Sequence, residues 1–208
     1  MSAADTLLTL AALWLIAVAT PGPNVLFFTS VALSSPKATL MAAGAGILIG
    51  TAAWGLAGLF GLLWLFELFP ALAVAVKVLG GVYLAWIGFK ILRTSLRPPA
   101  IDAVAPDVVA LSPMRAFSLA LATNLSNPKS LVFVTSLFAV THLAEAPLSI
   151  GLTGVAIMTA MSTAYYCLYG LILKVTPVGR GGGRAKRVVG VVIGAAMMAF
   201  GARMAFDR

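Results

Sequence analysis

The sequence predicts an all-α, polytopic membrane protein of about six spanning helices, and three observations carry that prediction. Hydrophobic residues make up 61% of the 208 and charged residues only 10%, with a mean hydropathy of +1.05; a soluble domain of this size does not show such a balance. The apolar residues come in long uncharged runs that suit helices of about 20 residues, not the alternating stretches of about 10 that build membrane barrels. The basic residues fall mainly in the loops between these runs and sort strongly to one side.

Six segments qualify as spans, at roughly 6–33, 39–66, 70–92, 114–140, 147–173 and 188–206. The first follows Met1-Ser2-Ala3-Ala4-Asp5, which has no basic region and no small-residue cleavage pattern ahead of the prolines, so it reads as a retained helix and not a signal peptide. Short turns at Ser34-Ser35-Pro36-Lys37 and from Glu67 to Pro70 make the first three helices antiparallel neighbours, and Pro70 and Pro147 stand at helix starts, where proline is tolerated. The link Thr94–Pro113, with Pro98, Pro99 and Pro106, divides the chain into two halves of three. The later link Lys174–Arg187 contains Gly181-Gly182-Gly183 and reads as flexible.

Ten basic residues, Lys37, Lys90, Arg93, Arg97, Arg115, Lys174, Arg180, Arg184, Lys186 and Arg187, fall on one side of this arrangement, and only Arg203 and Arg208 on the other. The positive-inside rule then places the ten in the cytoplasm and both termini outside. The alternative is a first segment that dips in without crossing, which gives five spans and an internal N-terminus. The net charge of +8 lies beside hydrophobic runs and not in a domain of its own, so it is read as facing anionic lipid headgroups and not nucleic acid. One cysteine, Cys167, read as a small buried residue, and one histidine, His142, make a metal site improbable, and no cofactor is expected.

Two stretches interrupt the spans. Thr20-Pro21-Gly22-Pro23-Asn24 cannot continue an ordinary helix, because each proline removes a backbone donor and crowds the preceding turn. In lipid the freed carbonyls cost several kcal/mol each unless protein or a water-filled cavity receives them. Asn124-Leu125-Ser126-Asn127-Pro128-Lys129 is a second break, flanked by amides. Laying Pro128 on Pro23 aligns Pro23-Asn24-Val25-Leu26-Phe27-Phe28 with Pro128-Lys129-Ser130-Leu131-Val132-Phe133, and the third and sixth segments share a seven-residue spacing of glycines, Gly81 and Gly88 against Gly194 and Gly201. An odd number of helices per copy sets the copies in opposite orientations. The expectation is one membrane transport domain, 1–208, of two inverted three-helix repeats (1–93 and 114–208) joined by the cytoplasmic link 94–113, with its site where the broken first and fourth helices meet. Gly46 and Gly50, and Gly190 and Gly194, have the four-residue spacing of close helix packing.

These residues resemble the LysE/RhtB amino-acid exporters. The resemblance rests on Ala19-Thr20-Pro21-Gly22-Pro23-Asn24, on the stretch from Lys77-Val78-Leu79-Gly80-Gly81 to Trp86-Ile87-Gly88, and on Asn124 through Asn127-Pro128-Lys129; Ala120 departs from a position where the family often carries glycine. It implies efflux of amino acids or their analogues from a bacterial cytoplasm, across the inner membrane, driven by the proton gradient, with lipid and protons as further partners and a homo-oligomer left open.

Read as chemistry, the candidate substrate-binding residues are Pro21, Gly22, Pro23, Asn24, Asn124, Asn127, Pro128, Lys129 and Lys77. Lys129 and Lys77 are the basic residues that fall inside predicted spans, where no Asp or Glu does. Lys129 lies about 20 Å into its segment at 1.5 Å per residue, beside a break, and is the functional candidate to meet an α-carboxylate. Lys77 stands about two turns from a helix end, so snorkelling to the interface competes with a role in the site. The asparagine carbonyls and broken backbone can accept from an α-ammonium. Without a membrane carboxylate to meet a cationic side chain, a neutral or small polar amino acid fits better than a basic one. Another small solute or a cation is the rival cargo. An embedded enzyme lacks an evident nucleophile with its base, or a metal with its ligands.

Overall fold

The structure, a computed structural model, describes residues 2–20, 22–61, 68–96, 111–175 and 183–206. All regular elements among the described residues are helices: α1 (Ala3–Ala19), α2 (Pro23–Ser34), α3 (Lys37–Leu59), α4 (Pro70–Leu96), α5 (Pro113–Leu125), α6 (Pro128–Thr141), α7 (Leu148–Val175) and α8 (Gly183–Phe206), with a 3-10 turn at Leu143–Glu145. Among the described residues each predicted segment contains one helix or, for the first and fourth, a pair split at its proline; α3 ends at Leu59, short of the expected 66, and 62–67 lie outside the described residues. The bend between α1 and α2 is 54°. By length and composition α3 and α7 can each cross a membrane, and the bent pair of α1 and α2 passes the same test when taken together, the pattern of a broken span or of a re-entrant loop.

Local chemistry sets several boundaries. Ser2 caps α1 through a reciprocal box in which its hydroxyl accepts from the Asp5 N–H and the Asp5 carboxylate accepts from the Ser2 N–H at 3.0 Å. Ser112 caps α5, and Pro113 occupies the first helical position, where its missing N–H is no loss. The link expected to be flexible up to Arg187 is shorter than that: helix α8 begins at Gly183 and takes in Arg187. Arg187 donates from Nε to the Ser95 carbonyl at 2.8 Å and from Nη2 to the Leu96 carbonyl at 3.0 Å, satisfying the end of α4. Lys174, in the last turn of α7, donates to the Ser35 carbonyl at 2.7 Å. These contacts gather the ends of α2, α4 and α7 with the start of α8 at one end of the bundle.

The core forms two clusters. Phe27, Phe28 and Val31 of α2 pack with Leu40, Ala43 and Ile47 of α3, Ala116 and Ala120 of α5, Tyr166 of α7, and Ile193 and Met197 of α8. Leu10 and Trp14 of α1 pack with Trp54 of α3, Leu137 and Phe138 of α6, and Val155 and Met158 of α7. Helices α4 and α8 run antiparallel in close contact, with Gly81 facing Gly201 and Gly88 facing Gly194. Cys167 is exposed, correcting the expectation of burial: it stands on the outward face of α7, next to Tyr166, which turns inward.

The glycines of α3 are not equivalent. A Cβ at Gly46 or Gly50 would collide with α5, whereas one at Gly44 would meet only Phe28 Cε2, at an ordinary 3.6 Å. Gly44→Ala is therefore expected to raise stability by about 0.5–1 kcal/mol, the helix-interior cost of glycine, measured by thermal unfolding in detergent.

Candidate functional site

The first break is a shortage of donors. At its edge the Thr20 N–H still reaches the Ile16 carbonyl at 3.1 Å, and the Thr20 hydroxyl donates to the same oxygen at 2.6 Å. One residue on, the donor that should serve the Ala17 carbonyl belongs to Pro21, which has no N–H. Lys129 fills the gap: its Nζ donates to the Ala17 carbonyl at 2.9 Å and to the Thr20 carbonyl beside it. An ammonium at the negative end of α1 is also favoured by the helix dipole. Gly22 then runs extended, a conformation open to any residue, and its lack of a side chain matters for space: a Cβ there would stand 3.1 Å from Lys129 Cδ.

The second break repeats the shortage. Helix α5 ends at Leu125 and α6 opens at Pro128, which cannot donate to the Asn124 carbonyl. That oxygen accepts instead from Trp54 Nε1 and from the Asn127 N–H, each at 3.1 Å. Asn127 caps α6, its Oδ1 accepting from the Lys129 N–H at 3.0 Å. Asn124 is 1% exposed, and its Nδ2 donates to the Ile47 carbonyl at 3.2 Å and to Thr51 Oγ1 at 3.4 Å. Gly50 leaves the room for this amide, since a Cβ there would lie 2.7 Å from Asn124 Oδ1.

Between the two breaks lies a cavity of about 440 Å³, counting its open mouth, lined by residues of both core clusters. Gly22, Asn24, Asn124, Asn127 and Lys129, all singled out in the sequence, border it together. Lys129 is the single charged residue of this lining. The acids among the described residues are Asp5 and Glu145, and they are engaged with Ser2 and His142. The Oδ1 atoms of Asn24 and Asn124 are buried without a hydrogen-bond partner among the described residues. Pro23 is buried at the start of α2, and Pro128 opens α6. Pro21 lies outside the described residues, as does the side chain of Lys77, whose backbone belongs to α4. The described lining takes nothing from α4 or α8.

Sequence reasoning missed Trp14, Thr51, Phe133, Ser162 and Tyr166, which also line the cavity. A signal was available for two of them: Ser162 and Tyr166 are polar residues four apart in an apolar run, hence on one helix face. Among the described residues no group of His, Cys, Asp and Glu could hold a metal ion.

The family model of the LysE type translocator matches residues 15–208 of this chain. The chain belongs to that family. Relatives of this LysE-type chain include the threonine efflux protein of Escherichia coli K12, 35% identical over 132 residues, which are 64% of each chain. The alignment thus takes in just under two thirds of that relative's length. The threonine efflux protein of Salmonella typhi is 27% identical over 96% of this chain and 97% of its own. The leucine efflux protein of Klebsiella pneumoniae is 32% identical over 57% of this chain and 54% of its own. No solved structure matches. Membership accounts for the all-helical, polytopic membrane architecture.

Proposed function

We propose that this LysE-type protein is a secondary active exporter of amino acids, neutral or small polar ones, and that its substrate binds in the cavity between the two helix breaks. The observation that carries this reading is the charge pattern of the lining: one ammonium, Lys129, with two amide oxygens, on Asn24 and Asn124, that have no partner among the described residues. A zwitterion has the complementary pattern, a carboxylate for the lysine and an ammonium for the amide oxygens. Lys129 has three donors and its backbone carbonyls take two. The α2 N-terminus, which Gly22 leaves without a side-chain cap, adds positive potential on the same cavity. A lining whose single charge is positive counts against a cationic cargo, and the names of the relatives, threonine and leucine efflux proteins, fit an uncharged side chain.

The same reading takes the two halves as inverted repeats in a bacterial inner membrane, with both termini outside and export coupled to protons. Its supports are pairwise packing and loop charge. Helix α4 packs on α8 and α3 on α7, while α1 meets α6 and α2 meets α5, each pairing a segment with its counterpart or exchanging halves of the broken ones. With Cys167→Ala as background, a cysteine at Ser2 is expected to label from outside and one at Gly182 from inside; labelling of Ser2 only from the cytoplasm refutes the six-span arrangement. Purified protein in proteoliposomes, tested against a panel of labelled amino acids with and without a proton gradient, is expected to export neutral ones faster when the gradient is imposed. Absence of flux for every amino acid overturns the proposed cargo, and gradient-independent flux overturns the coupling.

A further inference from the structure

Helix α7 was not expected to contribute to the site, yet it brings a hydroxyl to the cavity whose hydrogen is unspent. The three threonines of α7 follow the ordinary helical pattern: Thr153, Thr159 and Thr163 donate to the Ser149, Val155 and Thr159 carbonyls, four residues back, at 2.7, 2.9 and 2.8 Å. Ser162 does not. The carbonyl four residues behind it, that of Met158, accepts from Trp14 Nε1 at 2.9 Å, and the same indole N–H also donates to Ser162 Oγ at 3.0 Å. The serine oxygen is thus an acceptor for Trp14, and its hydrogen has no acceptor among the described residues. Ser162 is 1% exposed and lines the cavity that holds Lys129. An unspent donor at so buried a position calls for an acceptor in the cavity.

We infer that Ser162 is a second donor to the substrate carboxylate, beside Lys129, and that Trp14 is its positioning residue, holding the hydroxyl off its own helix. The inference rests on the amino-acid cargo proposed above. A zwitterion offers strong acceptors at its carboxylate and none at its ammonium, so the unspent hydrogen of the hydroxyl is received at the carboxylate end. Removing Trp14 Nε1 releases the Met158 carbonyl, and the serine then turns back to it as the neighbouring threonines do.

The test is a double-mutant cycle on export by inside-out vesicles. Ser162→Ala is expected to raise KM for a transported neutral amino acid by about ten- to a hundredfold, the span of one hydrogen bond to a charged group, with kcat close to the parent's. Trp14→Phe should reproduce most of that rise, and the double variant should be little worse than either single one. The amino alcohol with the same side chain, which keeps the ammonium and lacks the carboxylate, should compete equally against the parent and Ser162→Ala. Saturable export by the parent with an unchanged KM in Ser162→Ala, or losses that add in the double variant, overturns the assignment and leaves the proposed cargo standing. Absence of saturable amino-acid export by the parent overturns both.

Discussion

Lys129→Met is expected to abolish most export while leaving a folded, extractable protein. Two effects on stability oppose each other. The ammonium gives the Ala17 carbonyl a charge-assisted bond at 2.9 Å, of a kind worth about 1.5–3 kcal/mol. Holding a lysine at membrane depth costs at least about 2.5 kcal/mol on insertion scales, and methionine, of similar shape, escapes that cost. The two are of the same size, so the melting temperature should barely move. Transport has no such compensation, since Lys129 carries the single positive charge of the described lining and a thioether cannot hold a carboxylate. Lys129→Arg keeps charge but needs more width where the lysine stem already takes the space that a Cβ at Gly22 would need, and partial activity is the expected result. Efflux measured in matched amounts of purified parent, Lys129→Met and Lys129→Arg decides the question; normal transport by Lys129→Met would remove the lysine from the mechanism and leave the asparagines and broken backbone as the polar site.

The largest loss of stability is expected from Gly88→Leu. A single Cβ at this position would stand 2.6 Å from the Met198 backbone N and 2.7 Å from the Gly194 carbonyl oxygen. Neither atom belongs to a side chain that can swing aside, so the whole of α8 must move away from α4. Insertion of extra atoms into a close-packed contact typically costs about 1–3 kcal/mol, occasionally more, and a contact between two backbones lies at the upper end. The damage should spread, because Gly194 would lose the close approach that lets it face both Gly88 and Leu92. Thermal unfolding and size-exclusion profiles in detergent should show a strongly destabilised or aggregated Gly88→Leu beside a well-behaved Gly44→Ala. Equal melting temperatures for the two would refute the glycine-mediated contact between α4 and α8.

The sequence by itself determined the parts of this protein that depend on composition and on covalent chemistry. Its hydrophobic runs demand helices in a membrane, because backbone groups have no other partners there. Its prolines determine where helices must break, because a residue without an N–H leaves the carbonyl four residues back unserved; Pro21 strands Ala17 and Pro128 strands Asn124 by this arithmetic alone. The depth of Lys129 likewise marks it as costly without any structure. Which group meets each stranded carbonyl was decided only by tertiary structure. Lys129 reaches across 112 residues of chain to the Ala17 carbonyl, and Trp54 across 70 to that of Asn124. Periodicity could show Gly81 and Gly88 as one spacing and Gly194 and Gly201 as its copy, but their face-to-face contact exists only once α4 and α8 pack. Ser162 is the clearest case: a serine in an apolar helix ordinarily spends its hydrogen on its own backbone, and only the arrival of Trp14 from 148 residues away takes that acceptor. Backbone deficits are local and readable from residue order, whereas their remedies are long-range contacts that exist only once the helices have packed.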